Sequence, residues 1–115
     1  MRPITVNVGP NAAPGASSPW VRFDDWAPSP ISIQCTVTGT VNFTVQQTLQ
    51  DPNDPVNPVD PASLAWVNHP DAGLVGATGT VQSNYAYAPV FARVVLNSGS
   101  GSVSTVFLQS SAVPK

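Results

Sequence analysis

The sequence predicts a single all-β domain, on three observations. Only 9% of its 115 residues are charged, with no Glu and one Lys, Lys115, where an average soluble protein has about 25%. Exposed helix faces are written in Glu, Lys, Arg and Gln, which keep rotamer freedom on a helix, so a helical bundle is excluded. Polarity comes instead from 12 Ser, 9 Thr, 8 Asn and 6 Gln, residues of strands, turns and hydrogen-bonded surfaces. Finally, 13 Pro and 8 Gly punctuate segments in which apolar and polar residues alternate. An apolar content of 42% fills one core of ordinary density. The expected fold is a single-domain β-sandwich or jelly-roll-like barrel of about seven or eight mainly antiparallel strands.

Ile4, Val6 and Val8 alternate with Thr5 and Asn7, and this short strand stops at Gly9-Pro10. Gly9 to Pro19 holds three prolines, two glycines and no large apolar side chain, so it has nothing to bury. Residues 1–19 are therefore expected to form an extended N-terminal strand and arm, apart from a sandwich spanning 20–115. Such an arm would pair with the sheet edge of a neighbouring subunit. Trp20, Arg22 and Asp24 would share one face of the next strand, and Val21, Phe23 and Asp25 the other, before Pro28 and Pro30.

Ile31, Ile33, Cys35 and Val37 alternate with Ser32, Gln34, Thr36 and Thr38, the clearest strand in the chain. Val41, Phe43, Val45, Gln47 and Leu49 repeat the pattern after Thr38-Gly39-Thr40, and the two strands read as a hairpin at the centre of the core. Cys35 lies on the apolar face and reads as a small core hydrophobe. Residues 50–71, with five prolines and four aspartates, form a long loop. Within it Asp60-Pro61 supplies an N-cap acid and a proline at the first helical position, which predicts a helical turn or two. Leu74 and Val75 begin a weak strand, broken by Gly76 and Gly79 and ending at Val81. Tyr85 to Leu96 and Val103 to Gln109 are the closing strands, joined by the turn Asn97 to Ser102.

A net charge of -2 and four scattered cations argue against direct nucleic-acid binding. No apolar run approaches the ~18 residues of a membrane span, and the start lacks the apolar stretch of a secretory signal. One cysteine cannot form an internal disulfide, which fits synthesis in a reducing cytoplasm.

Catalysis needs a titratable group tuned toward neutrality, and the inventory is one His, one Cys and six Asp. No nucleophile-elbow glycine pattern surrounds any serine, so a small hydrolase built on His69 ranks low and no catalytic residue is assigned. Asp51, Asn53, Asp54, Asn57 and Asp60 are oxygen donors of the kind calcium takes. Four of them adjoin proline and the EF-hand glycine is missing, so turn initiation is the preferred reading and no metal residue is assigned. The tryptophans and tyrosines suit either core and interface anchors or a sugar-stacking platform.

The ordered set Ser18-Pro19-Trp20, Thr44 to Pro52, Ala65 to Asp71, Asn84-Tyr85-Ala86 with Pro89-Val90, and Val106 to Gln109 resembles a family of small all-β virion proteins of tailed bacteriophages. The resemblance runs from about Ser18 to Gln109. It implies a non-enzymatic role with no cofactor, as a head decoration or cement protein that binds and stabilises the major capsid protein shell. Its implied location is the capsid surface of the virion, after synthesis in the host bacterial cytoplasm, as a homo-oligomer of two or three chains. The alternative is a tail- or fibre-associated recognition or carbohydrate-binding module using exposed tryptophan. Expected interface residues are Ile4, Val6, Val8, Trp66, His69, Tyr85, Tyr87 and Arg93.

Overall fold

A computed structural model of the chain describes residues 3–11, 13–23, 30–85 and 89–109. Their strands are β1 (Ile4–Val8), β2 (Ala16–Ser17), β3 (Val21–Arg22), β4 (Ile31–Thr38), β5 (Asn42–Thr48), β6 (Val67–Asn68), β7 (Val81–Tyr85), β8 (Phe91–Ser98) and β9 (Ser102–Gln109). They form two antiparallel sheets, the first in the order β1-β9-β4-β7 and the second in the order β2-β8-β5-β6, with β3 also on β8. The two are packed together as a sandwich, in a flattened body of 40 × 38 × 22 Å.

Period-two alternation builds the interior. The first sheet turns Val6, Val8, Ile31, Ile33, Cys35, Val103 and Phe107 inward, and the second turns Val21, Phe43, Val45, Ala92, Val94 and Leu96 to meet them. Phe23 and Phe107 meet edge to face inside, with ring centroids 5.6 Å apart. Among the described residues no buried side-chain nitrogen or oxygen lacks a hydrogen-bond partner, as a well-made interior requires.

The expected hairpin of residues 31–49 is not formed. β4 and β5 are both strands, but they lie in different sheets, and β4 pairs with β7 and β9 while β5 pairs with β6 and β8. Alternation dictates which side chains face in, and a strand satisfies it equally well beside its neighbour or stacked above it. The 39–41 link is therefore an arch between layers, and 99–101 is a second arch that packs on it, with the Gly101 N–H donating to the Thr40 carbonyl at 3.0 Å. Gly99, at φ +104°, lies so close that a Cβ there would collide with the Thr40 carbonyl oxygen.

The N-terminal segment is also corrected. β1 pairs with β9 of its own chain through five register positions, and β2 pairs with β8, so these two strands lie one on each sheet and do not stand apart as an arm. Among the described residues the segment after Pro19 makes the two-residue β3, with the Phe23 N–H donating to the Val90 carbonyl, and Asp24 and Asp25 lie outside the described residues. The weak strand expected from Leu74 to Val81 is not formed: Leu74 closes a 3₁₀ turn over Ala72–Leu74, capped by the Asp71 carboxylate that accepts the Gly73 N–H, Ala77 makes an isolated bridge to Phe43, and Val81 begins β7. The predicted turn after Asp60 is present as the 3₁₀ turn Pro61–Ser63, with Asp60 accepting from the Ala62 N–H. The run expected from Tyr85 to Leu96 is two strands in two sheets, β7 ending at Tyr85 and β8 starting at Phe91.

Candidate functional site

The outer face of the second sheet gathers aromatic and cationic side chains from three segments, Trp20 and Arg22, Trp66, and Phe91 and Arg93. Gln46 on β5 stands opposite Arg93 on β8 and opposite Asn68 on β6, so three polar side chains form one row across three strands. Arg93 donates from Nε and Nη2 to Gln46 Oε1 at 3.0 and 2.9 Å. A guanidinium only donates, so Gln46 must present its oxygen to Arg93 and its amide nitrogen to the other side. There Gln46 Nε2 donates to Asn68 Oδ1 at 3.0 Å.

An aromatic ridge flanks the row. The Trp66 ring, one residue before β6, lies 4.2 Å from the Arg93 guanidinium carbon, a cation–π distance. Trp20 meets Trp66 edge on, with centroids 5.1 Å apart, and leans on Phe91 at 5.6 Å. Arg22 covers the Phe91 ring at 5.2 Å and pairs with Asp51 at 3.0 Å. That hydrogen bond, with a second from the Asn53 N–H, holds the Asp51 carboxyl below the usual carboxylate range. Trp20 keeps 38% of its surface exposed. Arg93 is half-buried, and this desolvation lowers its pKa from the ordinary guanidinium value; no carboxylate faces it among the described residues.

His69 belongs to the interior. Its Nδ1 accepts from the Asp71 N–H at 2.9 Å, so the proton sits on Nε2, which donates to the Asn84 carbonyl at 2.9 Å. Burial lowers its pKa. Asp71 Oδ2 accepts a hydrogen bond from the Ser83 hydroxyl at 2.7 Å, and that bond is the main cause of the lowered Asp71 pKa. With both ring nitrogens on backbone groups and Ser83 bonded to Asp71, these three residues do not assemble a serine–histidine relay.

The carboxylates of the long loop cap turns. Asp51 accepts from the Asn53 N–H, Asp54 from Val56 and Asn57, and Asp60 from Ala62. Among the described residues no three His, Cys or Asp side chains cluster as a metal site would require. Cys35 is fully buried, and burial raises its pKa.

Of the expected interface residues, Trp66 and Arg93 come together at the surface. Val6 and Val8 point into their own core, with Ile4 packed against it, so β1 spends its apolar face within the chain. His69 and Tyr85 are buried and stack on each other at 4.3 Å. Those four buried residues are not surface anchors. Tyr87 lies outside the described residues. Gln46 is a partner of Arg93 that the sequence does not reveal, since their meeting depends on the β5–β8 register between positions 47 apart in sequence, and neither does it reveal that Trp20 meets Trp66 and Phe91.

Fold and site together define a two-layer β-sandwich with an aromatic–arginine ridge on one outer face. No family model, no curated protein and no solved structure matches the chain.

Proposed function

We propose that this chain is a non-enzymatic structural protein of a tailed-bacteriophage virion, a capsid decoration or cement protein that binds the major capsid protein as a homo-oligomer. The observation that carries this reading is the outer face of the first sheet. Thr5 and Asn7 on β1, Ser32, Gln34, Thr36 and Thr38 on β4, Gln82 and Asn84 on β7, and Ser104, Val106 and Leu108 on β9 present no charge. Burying a charge against a partner costs several kcal/mol unless it is paired, on the order of the desolvation of one ion. Hydroxyl and amide groups offer donors and acceptors that a protein surface can match at little cost. An open groove of about 270 Å³ between Pro3, Gln34, Gln82, Val106 and Leu108 gives that face relief for an inserted side chain. The resemblance described above supports the location.

The test is the position and copy number of the protein in purified particles. Hundreds of copies on the shell, reduced when Gln34 and Ser104 are both changed to Arg, are the expected result. Absence from the particle overturns the reading, and a few copies at one vertex replace it with the tail- or fibre-associated module.

A further inference from the structure

We propose that the Trp20–Trp66 ridge and the adjoining Arg93–Gln46–Asn68 row form a binding site for an acidic sugar, a pyranose that carries a carboxylate. The site is read from this chain alone and does not rest on the capsid assignment.

The first argument is the direction of the hydrogen bonds. Arg93 takes the Gln46 oxygen with two donors, and Gln46 Nε2 takes the Asn68 oxygen. Every side-chain acceptor of the row is thus used within it, while Arg93 Nη1 and Asn68 Nδ2 make no hydrogen bond among the described residues. A row that offers donors selects a ligand rich in acceptors. Strands lie about 4.8 Å apart, so the row spans roughly 10 Å over three strands, about two sugar rings.

The second argument is charge. Arg22 has Asp51 as its counter-ion, but Arg93 is held by a neutral amide and an aromatic ring. Its guanidinium plane is fixed by Gln46, which takes Nε and Nη2, and by Trp66, so the end-on pair of Nη1 and the second Nη2 proton is set for a planar carboxylate partner. The third argument is shape. The rings of Trp20, Trp66 and Phe91 are tilted 56° to 61° to their neighbours and fill the space between one another. They make a ridge with partly exposed indole, which suits the flat C–H face of a sugar, whereas a peptide anchor seeks a pocket. An acidic sugar supplies the C–H face, hydroxyl acceptors and the carboxylate on one rigid ring.

Calorimetric titration of the full chain tests this, with trigalacturonate, a glucuronate-ended trisaccharide and 3′-sialyllactose, in about 150 mM salt so that bare charge attraction is screened. At least one should bind about tenfold or more tightly than its own methyl ester, the effect of a charged hydrogen-bonded pair. Arg93→Gln should bring the acid-to-ester ratio to about one, Arg93→Lys should restore part of it, and Trp20→Ala should weaken acid and ester alike. Urea midpoints show which variants fold. If the Arg93 variants do not, the ester comparison on the unaltered protein decides. Binding of none of the three sugars overturns the proposal, as does equal binding of acid and ester. Binding of triaspartate as tight as the best sugar also overturns it, by making the site one for protein carboxylates.

Discussion

Tyr85 and Gln47 join the two layers of the sandwich: the Tyr85 hydroxyl on β7 donates to Gln47 Oε1 on β5 at 2.9 Å, in the buried interior. Both partners come from opposite sheets, so the bond holds the layers in one relative position. Tyr85→Phe removes the donor and leaves a buried amide oxygen without it, which should cost about 1–3 kcal/mol in urea unfolding. Adding Gln47→Leu to that variant should recover part of the loss, because no orphaned acceptor then remains. An additive double variant would show that the two residues act separately.

Phe43 is fully buried on β5, and Phe43→Ala should cost about 3–5 kcal/mol in equilibrium unfolding. A loss below about 1 kcal/mol would contradict its inward register.

His69 makes stability depend on pH. Its folded pKa lies below the ordinary value, chiefly through burial, so the unfolded chain binds the proton more readily. The contribution of neutral His69 is fully present above about pH 6.5 and is lost as pH falls toward the folded pKa. Asp51 and Asp71, both lowered, act in the same direction further down, starting near pH 4. The urea midpoint should therefore fall between pH 7 and 5. His69→Gln should flatten that step while leaving the lower one; an unchanged step would assign it to another group.

Gly99 and Gly79 form a paired test of the arches. Gly99→Ala meets the Thr40 carbonyl and a positive φ, and should cost about 1–3 kcal/mol or more. A Cβ at Gly79 meets nothing within 4 Å, so Gly79→Ala should change stability by less than about 0.5 kcal/mol. Equal losses would mean that the arches do not pack as described.

The composition and the period-two pattern made the all-β class and most inward-facing residues legible. The capping of Pro61–Ser63 by Asp60 was legible too, because it is written within three consecutive positions. Pairing was not. Ile31–Thr38 and Asn42–Thr48 carry the same alternation, and nothing in either says that one stacks on the other. The same limit hid the site. Trp66 and Arg93 were each singled out, yet their contact follows from β6 pairing with β5 and β5 with β8. Residues 1–19 looked detachable because their proline-rich stretch buries little. What ties β1 and β2 in is pairing to β9 and β8 together with burial of Val6 and Val8, and alternation alone does not say whether the strand joins a sheet of its own chain or of a neighbour.

The pairing of β9 has a consequence for how the chain is made. β9 lies between β1 and β4 and supplies the neighbour of both, although the two were synthesised some 65 to 100 residues earlier, a separation typical of slow-folding topologies. On the ribosome β1 has no partner until Ser102–Gln109 emerges. A product that stops short of Ser102 leaves β1 unpaired and one side of β4 open, with the inner face of the second sheet partly uncovered. Such fragments should be cleared by proteases while the finished chain survives. The order of the strands thus makes the first sheet's completion depend on β9.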